Sequence, residues 1–265
     1  EQNLRSPGKK LGLTDSRKEN VTISDLKFQI DQDSGSKCEK PVLSTDTKNC
    51  GVAVMIKGST NKVWIHHNLF RSCGEKCITS GYDLAGNVPD KISISHNSFL
   101  DSFYAILIEA IPNKAYTEKK FTHVSIYNNH FRNIFRRSPR IAGFVRGHVM
   151  NNFIEQWGKE GVANCKGEDS AFASSSVGEA EMFLERNIYL PSLYSACSSV
   201  GQSSAYKDDV VDLEKGFIKA KGNLVYRKGT MTETNPAKVT LPSYAYKPMS
   251  VKDVLLKVRA EARPR

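Results

Sequence analysis

The 265-residue sequence predicts an all-β solenoid, a parallel β-helix, and two observations carry this prediction. A short motif, apolar-x-apolar-x-x-Asn-x-aromatic, returns along the chain with no helical periodicity between its copies. The number of residues between successive asparagines never falls below a minimum and exceeds it by variable amounts. A coil with one rung per repeat and loops inserted at one corner produces such spacing. A β-sandwich, the competing all-β fold, would not hold one motif at the same phase in successive copies.

Each copy of the repeat alternates apolar and polar residues, which is typical of a strand with one buried face. Asn at a fixed place indicates a turn, because Asn tolerates left-handed backbone and bonds to its own main chain. The asparagines lie at positions 68, 97, 129, 151, 187 and 223, and the shortest step, from 129 to 151, is 22 residues. Their side chains are expected to stack from rung to rung. The aromatic residues expected to stack inside the coil, with sugar platforms as the alternative, are Trp64, Phe70, Phe99 and Phe131.

The C-terminal segment predicts a short amphipathic helix at about 250–262. Val251, Val254, Leu255 and Val258 lie three or four residues apart with Lys and Arg between them, and Ser250 is a suitable N-cap. The whole chain, 1–265, is therefore predicted to form one β-helix domain that ends in this helix.

The composition of the chain limits the classes of partner that are expected to bind it. A net charge of +10 and a pI near 9.2 favour an acidic partner, either nucleic acid or an acidic polysaccharide. No nucleic-acid module is recognisable, so no nucleic-acid partner is expected. No segment approaches the roughly 18 apolar residues of a membrane helix, so no membrane partner is expected. The chain opens at Glu1 without an initiator Met or a signal peptide, which predicts a mature or trimmed form.

Six cysteines suit an oxidising compartment. Loop proximity suggests the pairs Cys38–Cys50 and Cys165–Cys197, although connectivity does not follow from sequence. The remaining two, Cys73 and Cys77, are expected to form a disulfide or to stay as two buried thiols. A metal site there is the less favoured alternative, because the neighbouring histidines lack zinc-finger spacing.

Four arginines lie within nine residues of one another, at 132, 136, 137 and 140, around a Ser-Pro step. Arg presents a fixed donor fork to carboxylates and phosphates, so this stretch predicts an anion-binding turn. A basic turn with no catalytic role is the alternative.

Several of these segments resemble motifs of the pectate lyase and pectin lyase family (polysaccharide lyase family 1). Residues 63–67 (VWIHH) resemble the vWiDH strand, 137–140 (RSPR) the R-x-P-R element, and 148–153 (HVMNNF) the HvyNNy rung. Residues 244–248 (YAYKP) and the helix after them resemble the C-terminal cap. The similarity runs from about Asn20 to the C terminus. It implies a right-handed parallel β-helix, secretion, and cleavage of an acidic polysaccharide by β-elimination.

The resemblance assigns Arg137 as the catalytic base that removes the C5 proton of a uronate. A guanidinium is nearly always protonated, so neighbouring cations are expected to lower its pKa. Tyr104 stands where the family has its substrate lysine, and His66 where it has an aspartate that binds calcium. Glu109, at the end of an apolar strand, would pair with an arginine if it faces the cleft. The predicted substrate-binding residues are Tyr104, His66, Arg136, Arg140 and Arg146.

The calcium site of the family is not expected here. Its other two aspartates align with Cys73 and Cys77, and histidine and cysteine are poor ligands for Ca²⁺, which takes several oxygens. Glu75 and Asp83 remain as unaligned candidate ligands. Ala142 replaces a further family arginine, whose role Arg146 would take over.

The sequence therefore predicts a secreted, monomeric polysaccharide lyase that needs no cofactor and acts on pectate, pectin or a related uronan. The alternative is a non-catalytic carbohydrate-binding or structural β-helix. Family members carry further rungs and a capping helix before the stretch aligned with Asn20. The N-terminal cap is therefore expected to be shortened or missing, the chain to be a fragment, or a partner chain to cover this end.

Overall fold

A computed structural model describes residues 3–4, 11–13, 19–29, 52–73, 75–83, 86–113, 117–158, 172–192, 199–227, 229–262 and 264. In these residues the chain winds as a right-handed parallel β-helix, which confirms the predicted fold class. The predicted pairs Cys38–Cys50 and Cys165–Cys197 lie outside the described residues. Most of the segment before Asn20, where a shortened cap is predicted, also lies outside them.

Three parallel sheets, called A, B and C, form the walls of the coil. The strands of sheet A are β1 (Asn3–Leu4), β4 (Lys27–Gln29), β7 (Leu69–Arg71), β10 (Ser98–Tyr104), β13 (His130–Arg136), β16 (Phe153–Glu155), β19 (Ile188–Leu190) and β24 (Leu224–Val225). The strands of sheet B are β2 (Leu11–Leu13), β5 (Val52–Lys57), β8 (Lys76–Gly81), β11 (Ile106–Ala110), β14 (Arg140–Gly143), β17 (Ser174–Val177) and β20 (Gly201–Ser204). The strands of sheet C are β3 (Thr22–Ser24), β6 (Asn61–His66), β9 (Asp90–Ser95), β12 (Thr122–Tyr127), β15 (Val145–Met150), β18 (Glu181–Glu185) and β23 (Phe217–Lys221). A short antiparallel pair, β21 (Tyr206–Lys207) and β22 (Asp212–Leu213), lies outside the coil.

The chain passes from A to B to C in each rung, and the three corners differ in length. The corner from C to A always takes two residues, as at His67 and Asn68 between β6 and β7. At the corner from A to B, Ala105 alone joins β10 to β11, whereas residues 156–173 join β16 to β17. The corner from B to C varies in the same way. The prediction that loops enter at one corner is therefore wrong, because two corners take insertions.

The asparagine ladder occupies the C-to-A corner. Its described members are Asn68, Asn97, Asn129, Asn152, Asn187 and Asn223, and each Nδ2 donates to backbone carbonyls while each Oδ1 accepts from the rung before it. The ladder residue of its rung is Asn152 and not Asn151, which corrects the predicted spacing. The left-handed residue is the one before each ladder Asn, such as His67 with a φ of 53°. The ladder Asn itself bonds the rungs together.

The core consists of side chains stacked along the coil. Four phenylalanine rings, Phe28, Phe70, Phe99 and Phe131, stack face to face with centroids 4.7 to 4.9 Å apart. This confirms the prediction for the three phenylalanines of the repeat. The same prediction is wrong for Trp64, which lies on the outer face of sheet C with 43% of its surface exposed. Val63 and Ile65 point inward, so strand alternation turns Trp64 outward.

The C-terminal helix α1 (Val251–Glu261) confirms the prediction for 250–262. Ser250 caps it by accepting a hydrogen bond from the backbone N–H of Asp253. Val254 and Val258 pack on the outer face of sheet A, and Arg259 donates to the buried carboxylate of Glu155 at 2.9 Å. The helix thus covers the side of the coil. Among the described residues no helix is long and apolar enough to cross a membrane.

The segment before this helix crosses sheet C and is held by a buried polar cluster. The Tyr244 hydroxyl lies 2.7 Å from His148 Nδ1 and 2.9 Å from Ser125 Oγ. Tyr246 donates to Glu185 Oε2 at 2.8 Å, and the same oxygen lies 3.3 Å from His148 Nε2. Burial lowers the pKa of His148, although Glu185 opposes this shift.

The ladder predicts a position-dependent loss of stability. In Asn129→Ala, the carbonyls of Ile94 and Tyr127 and two donors of Asn97 lose their partner inside the coil. We expect the free energy of unfolding to fall by about 3 kcal/mol, measured by urea denaturation. Asn223→Ala is the control, because this half-buried residue ends the ladder and should lose clearly less. Equal losses at the two positions would contradict this account of the ladder.

The buried histidine predicts acid sensitivity. The folded chain binds a proton at His148 less readily than the unfolded chain, so the unfolded state takes up more protons as the pH falls. We expect the free energy of unfolding to decrease as the pH drops through and below about 6.5. His148→Gln should flatten this decrease, measured by urea denaturation at a series of pH values. A wild-type slope in His148→Gln would contradict this account.

Candidate active site at the corner of sheets A and B

The arginine stretch forms the A-to-B corner between β13 and β14. Arg137 has a left-handed backbone, with a φ of 66°, and the Ser138–Pro139 bond is cis. The neighbouring rungs hold this turn on both sides. The carbonyl of Arg137 accepts from the backbone N–H of Ile106 at 3.0 Å, and the N–H of Ser138 donates to the carbonyl of Ala173 at 2.7 Å. The backbone of the turn at Arg137 and Ser138 is thereby fixed in position.

An aromatic platform supports the two adjacent arginines. The guanidinium carbon of Arg137 lies 3.9 Å from the ring centroid of Tyr104. Arg136 donates a hydrogen bond to the Tyr104 hydroxyl, and its guanidinium carbon lies 4.9 Å from the same centroid. Phe103 and Phe135 stack beside them at 4.7 Å. Cation–π contacts of this kind favour a fixed guanidinium.

Arg137 is a half-buried cation with other cations beside it. Burial is the main cause that lowers its pKa to about 10, and the positive charge of Arg140 is the second. Tyr104 and Glu109 oppose this shift, whereas Arg136 adds to it. Within the described part of the chain, Arg137 Nε makes no hydrogen bond. The predicted lowering is thus present, with desolvation as a larger cause than like charge.

Two carboxylates lie near the arginines. Glu109, on β11, is close in space to Lys76, Arg137 and Arg140, and burial raises its pKa although these three cations oppose the rise. Glu75 forms an ion pair with Lys76. Lys76 begins β8, one rung before Glu109, so this pair reaches the corner across the sheet. Glu109 therefore lies close enough to Arg137 and Arg140 for their charges to act on its carboxylate, and its pairing with an arginine stays a prediction.

Two curated proteins are similar to the chain, while no family model matches it. A pectin lyase of Bacillus subtilis is 30% identical over 95 residues, which are 34% of this chain and 27% of that protein. Pectate lyase plyB of Emericella nidulans is 27% identical over 179 residues, 63% of this chain and 46% of that protein. The chain thus matches less than half the length of either relative.

Solved structures support the same fold at low identity. The major cedar pollen allergen Jun a 1 has a TM-score of 0.69 at 14% identity, covering 94% of this chain and 68% of that one. A Bacillus pectate lyase in complex with trigalacturonate has a TM-score of 0.60 at 14% identity, covering 92% and 68%. The chain is thus similar in sequence to pectin and pectate lyases over part of its length, and it shares the fold of a solved pectate lyase.

The described residues around Arg137 do not fit a calcium ion. Cys73 and Cys77 form a disulfide, which removes both thiols as ligands. The carboxylates near Arg137 are Glu75, engaged by Lys76, and Glu109. Among the described residues no group of three or more His, Cys, Asp or Glu side chains is arranged to hold a metal. Ca²⁺ takes six to eight oxygen ligands, so this donor set does not fit it.

The structure brings together only part of the predicted site. Arg136, Arg137, Arg140 and Tyr104 meet at the A-to-B corner, although Arg136 is mostly buried against Tyr104. His66 and Arg146 lie on sheet C, away from this corner, so they do not join the predicted site. His66 stacks on Trp64 at 3.9 Å and lies beside His67.

Arg146 is engaged on sheet C by other residues. It pairs with Glu181 at 3.0 Å and lies over the ring of Phe121. Because side chains alternate between the two faces of β15, Arg146 points outward from sheet C. At Arg146 the chain has already passed the corner from sheet B to sheet C. Sequence reasoning missed Lys76 and Phe103 at the Arg137 corner, because only pairing between rungs places them there.

The electrostatics of this corner predict how one arginine affects another. Arg140→Gln removes the largest charged contribution to the low pKa of Arg137, so that pKa should rise above about 10. An NMR titration of the guanidinium carbon of Arg137 measures this change. Arg132→Gln is the control, because it removes an exposed arginine of the same strand. A pKa of Arg137 that moves equally in both variants would contradict the proposed contact with Arg140.

Proposed function

We propose that the chain is a polysaccharide lyase that cleaves an acidic polysaccharide, such as pectate, pectin or a related uronan, by β-elimination. The observation that carries the proposal is Arg137, a half-buried arginine of lowered pKa at the R-x-P-R turn of a pectate lyase-like fold. The pectin and pectate lyases among its relatives, and a relative crystallised with trigalacturonate, support this class of substrate.

The neutral guanidine of Arg137 is the base. It takes the C5 proton of a uronate, the electron pair of that bond forms the new double bond in the ring, and the glycosidic bond to the next sugar breaks. The leaving oxygen is protonated from solvent. A base works best when its pKa approaches the working pH, so the lowered pKa of Arg137 favours this role. The fixed turn keeps the side chain oriented before substrate arrives.

Removal of the C5 proton creates a carbanion-like state next to the uronate carboxylate. A nearby positive charge stabilises this state. Arg140 lies near Arg137 on the same turn and supplies a donor fork for a carboxylate. Arg136 holds Tyr104 under Arg137 and so acts as a positioning residue. Tyr104, in place of the family's lysine, offers a ring face and a hydroxyl to the sugar.

The reaction is proposed to proceed without calcium, because the carboxylates near Arg137 do not form a calcium site. The protein is proposed to act outside the cell as a monomer, and the Cys73–Cys77 disulfide supports an oxidising compartment. Nucleic acid is not a proposed partner.

A direct assay tests the proposal. The wild-type chain, incubated with pectate, methylated pectin and other uronans, should produce the ultraviolet absorbance of an unsaturated uronate. The rate should rise with pH towards about 10, because the neutral form of Arg137 becomes more abundant. A chelator should leave the rate unchanged. Arg137→Ala should lose roughly 10² to 10⁴ in rate.

Two further variants sharpen the assay. Arg132→Ala removes an exposed arginine of the same stretch and should keep the wild-type rate. Arg137→Lys keeps a positive charge but loses the guanidine, and should remain slow. Binding of an oligouronate without product would assign the chain to the alternative, a non-catalytic carbohydrate-binding β-helix. No product from any uronan would refute the lyase proposal.

A further inference from the structure

The outer face of sheet C carries exposed aromatic groups, on another wall of the coil from the base. Four of the large apolar side chains exposed in the described residues surround this face: Trp64, Phe121, Leu241 and Tyr244. Trp64 and Tyr244 expose 43% and 45% of their surface. Exposed apolar groups scattered singly need no explanation, but a cluster on one face indicates a binding surface.

Two of these rings are held in place. Trp64 Nε1 donates to Ser95 Oγ at 2.9 Å, and the indole lies against the His66 ring, tilted by 33° with the centroids 3.9 Å apart. The Tyr244 hydroxyl is bonded to Ser125 Oγ and His148 Nδ1. A fixed aromatic ring loses little conformational entropy when it binds, which favours a ready-made contact.

Hydroxyl-bearing residues lie between the two rings; Ser93 and Tyr127 are partly exposed, whereas Ser95 is buried under Trp64 and Ser125 is bonded to Tyr244. Strand pairing places Trp64, Ser93 and Ser125 in one outward row, and His66, Ser95 and Tyr127 in the next. We call these six residues, with Tyr244, the aromatic–serine strip. It crosses from β6 to the edge of β15, roughly 14 Å at the usual strand spacing. Beside it the crossing segment forms a groove of about 430 Å³ bounded by Leu241 and Tyr244.

The charges at the edge of the strip are mostly paired. His123 Nδ1 lies 2.9 Å from Asp90, and Arg146 Nε lies 3.0 Å from Glu181. Lys91 adds one exposed cation, so Arg146 and Lys91 balance Asp90 and Glu181 and leave little net charge to attract an acidic polymer. The Arg137 corner differs, because there three arginines face two glutamates, one of them engaged by Lys76.

We propose that the aromatic–serine strip is a second carbohydrate-binding surface, for a segment of uncharged polysaccharide. Aromatic faces pack on the C–H face of a sugar ring, and the partly exposed hydroxyls of Ser93 and Tyr127 bond its hydroxyl groups. The surface binds without cleaving, and it stands whether or not the Arg137 corner is catalytic. It gives the chain two contacts with different sugars, one acidic and one uncharged.

Isothermal titration of the full chain with three probes tests the proposal: soluble galactan, soluble xyloglucan and polygalacturonate. At least one of the uncharged probes should bind, with little dependence on salt. Trp64→Ala should weaken that binding by roughly tenfold, and Trp64→Phe by less because a ring remains. Arg137→Ala should leave it unchanged. Tyr226→Ala, which removes an exposed aromatic away from sheet C, is the matched control and should bind like the wild type.

Four outcomes would overturn the proposal. Neither uncharged probe binds the wild-type chain, or Trp64→Ala binds as tightly as the wild type while its urea midpoint shows that it is folded. Alternatively, Trp64→Ala selectively weakens the binding of polygalacturonate, which makes the strip an acidic subsite. Finally, sedimentation shows a dimer that Trp64→Ala dissociates, which makes the strip an interface between copies of this chain.

Discussion

The asparagine ladder at the C-to-A corner is the interaction on which the coil depends. Each rung passes this corner in two residues, so the phase of the strands before and after it never shifts. Because the phase is constant, side chains at equivalent strand positions face inward in every rung. The phenylalanine stack and the outward row through Trp64 both follow from this register. The other two corners are free to change length because they do not set the register of the strands.

The freedom of the A-to-B corner explains where the candidate active site lies. A loop corner can hold a half-buried arginine with left-handed backbone, which a regular strand would not. The cost of burying that cation appears as the lowered pKa of Arg137. Its ring support from Tyr104 and its backbone contacts with two rungs keep the turn in one conformation. Chemistry and fold are thus coupled at a single turn.

Sequence reasoning recovered the parts of this site that are local in the chain. Arg136, Arg137 and Arg140 share one turn, and Tyr104 is paired with Arg136 on adjacent strands of the repeat. It failed for His66 and Arg146, because alignment with a motif does not say which wall of the coil a strand occupies. It also missed Lys76, which reaches the corner only through pairing between rungs. Variable loop lengths hide such neighbours from sequence spacing.

The sequence by itself determined the fold class, the C-terminal helix and the asparagine period. These follow from alternation, capping and turn chemistry, which act over a few residues. Tertiary structure alone decided which asparagine of residues 151 and 152 joins the ladder, and on which face Trp64 lies. It also decided that Cys73 and Cys77 are bonded and so lost as metal ligands. Each of these depends on contacts between rungs, and no local pattern in the chain specifies them.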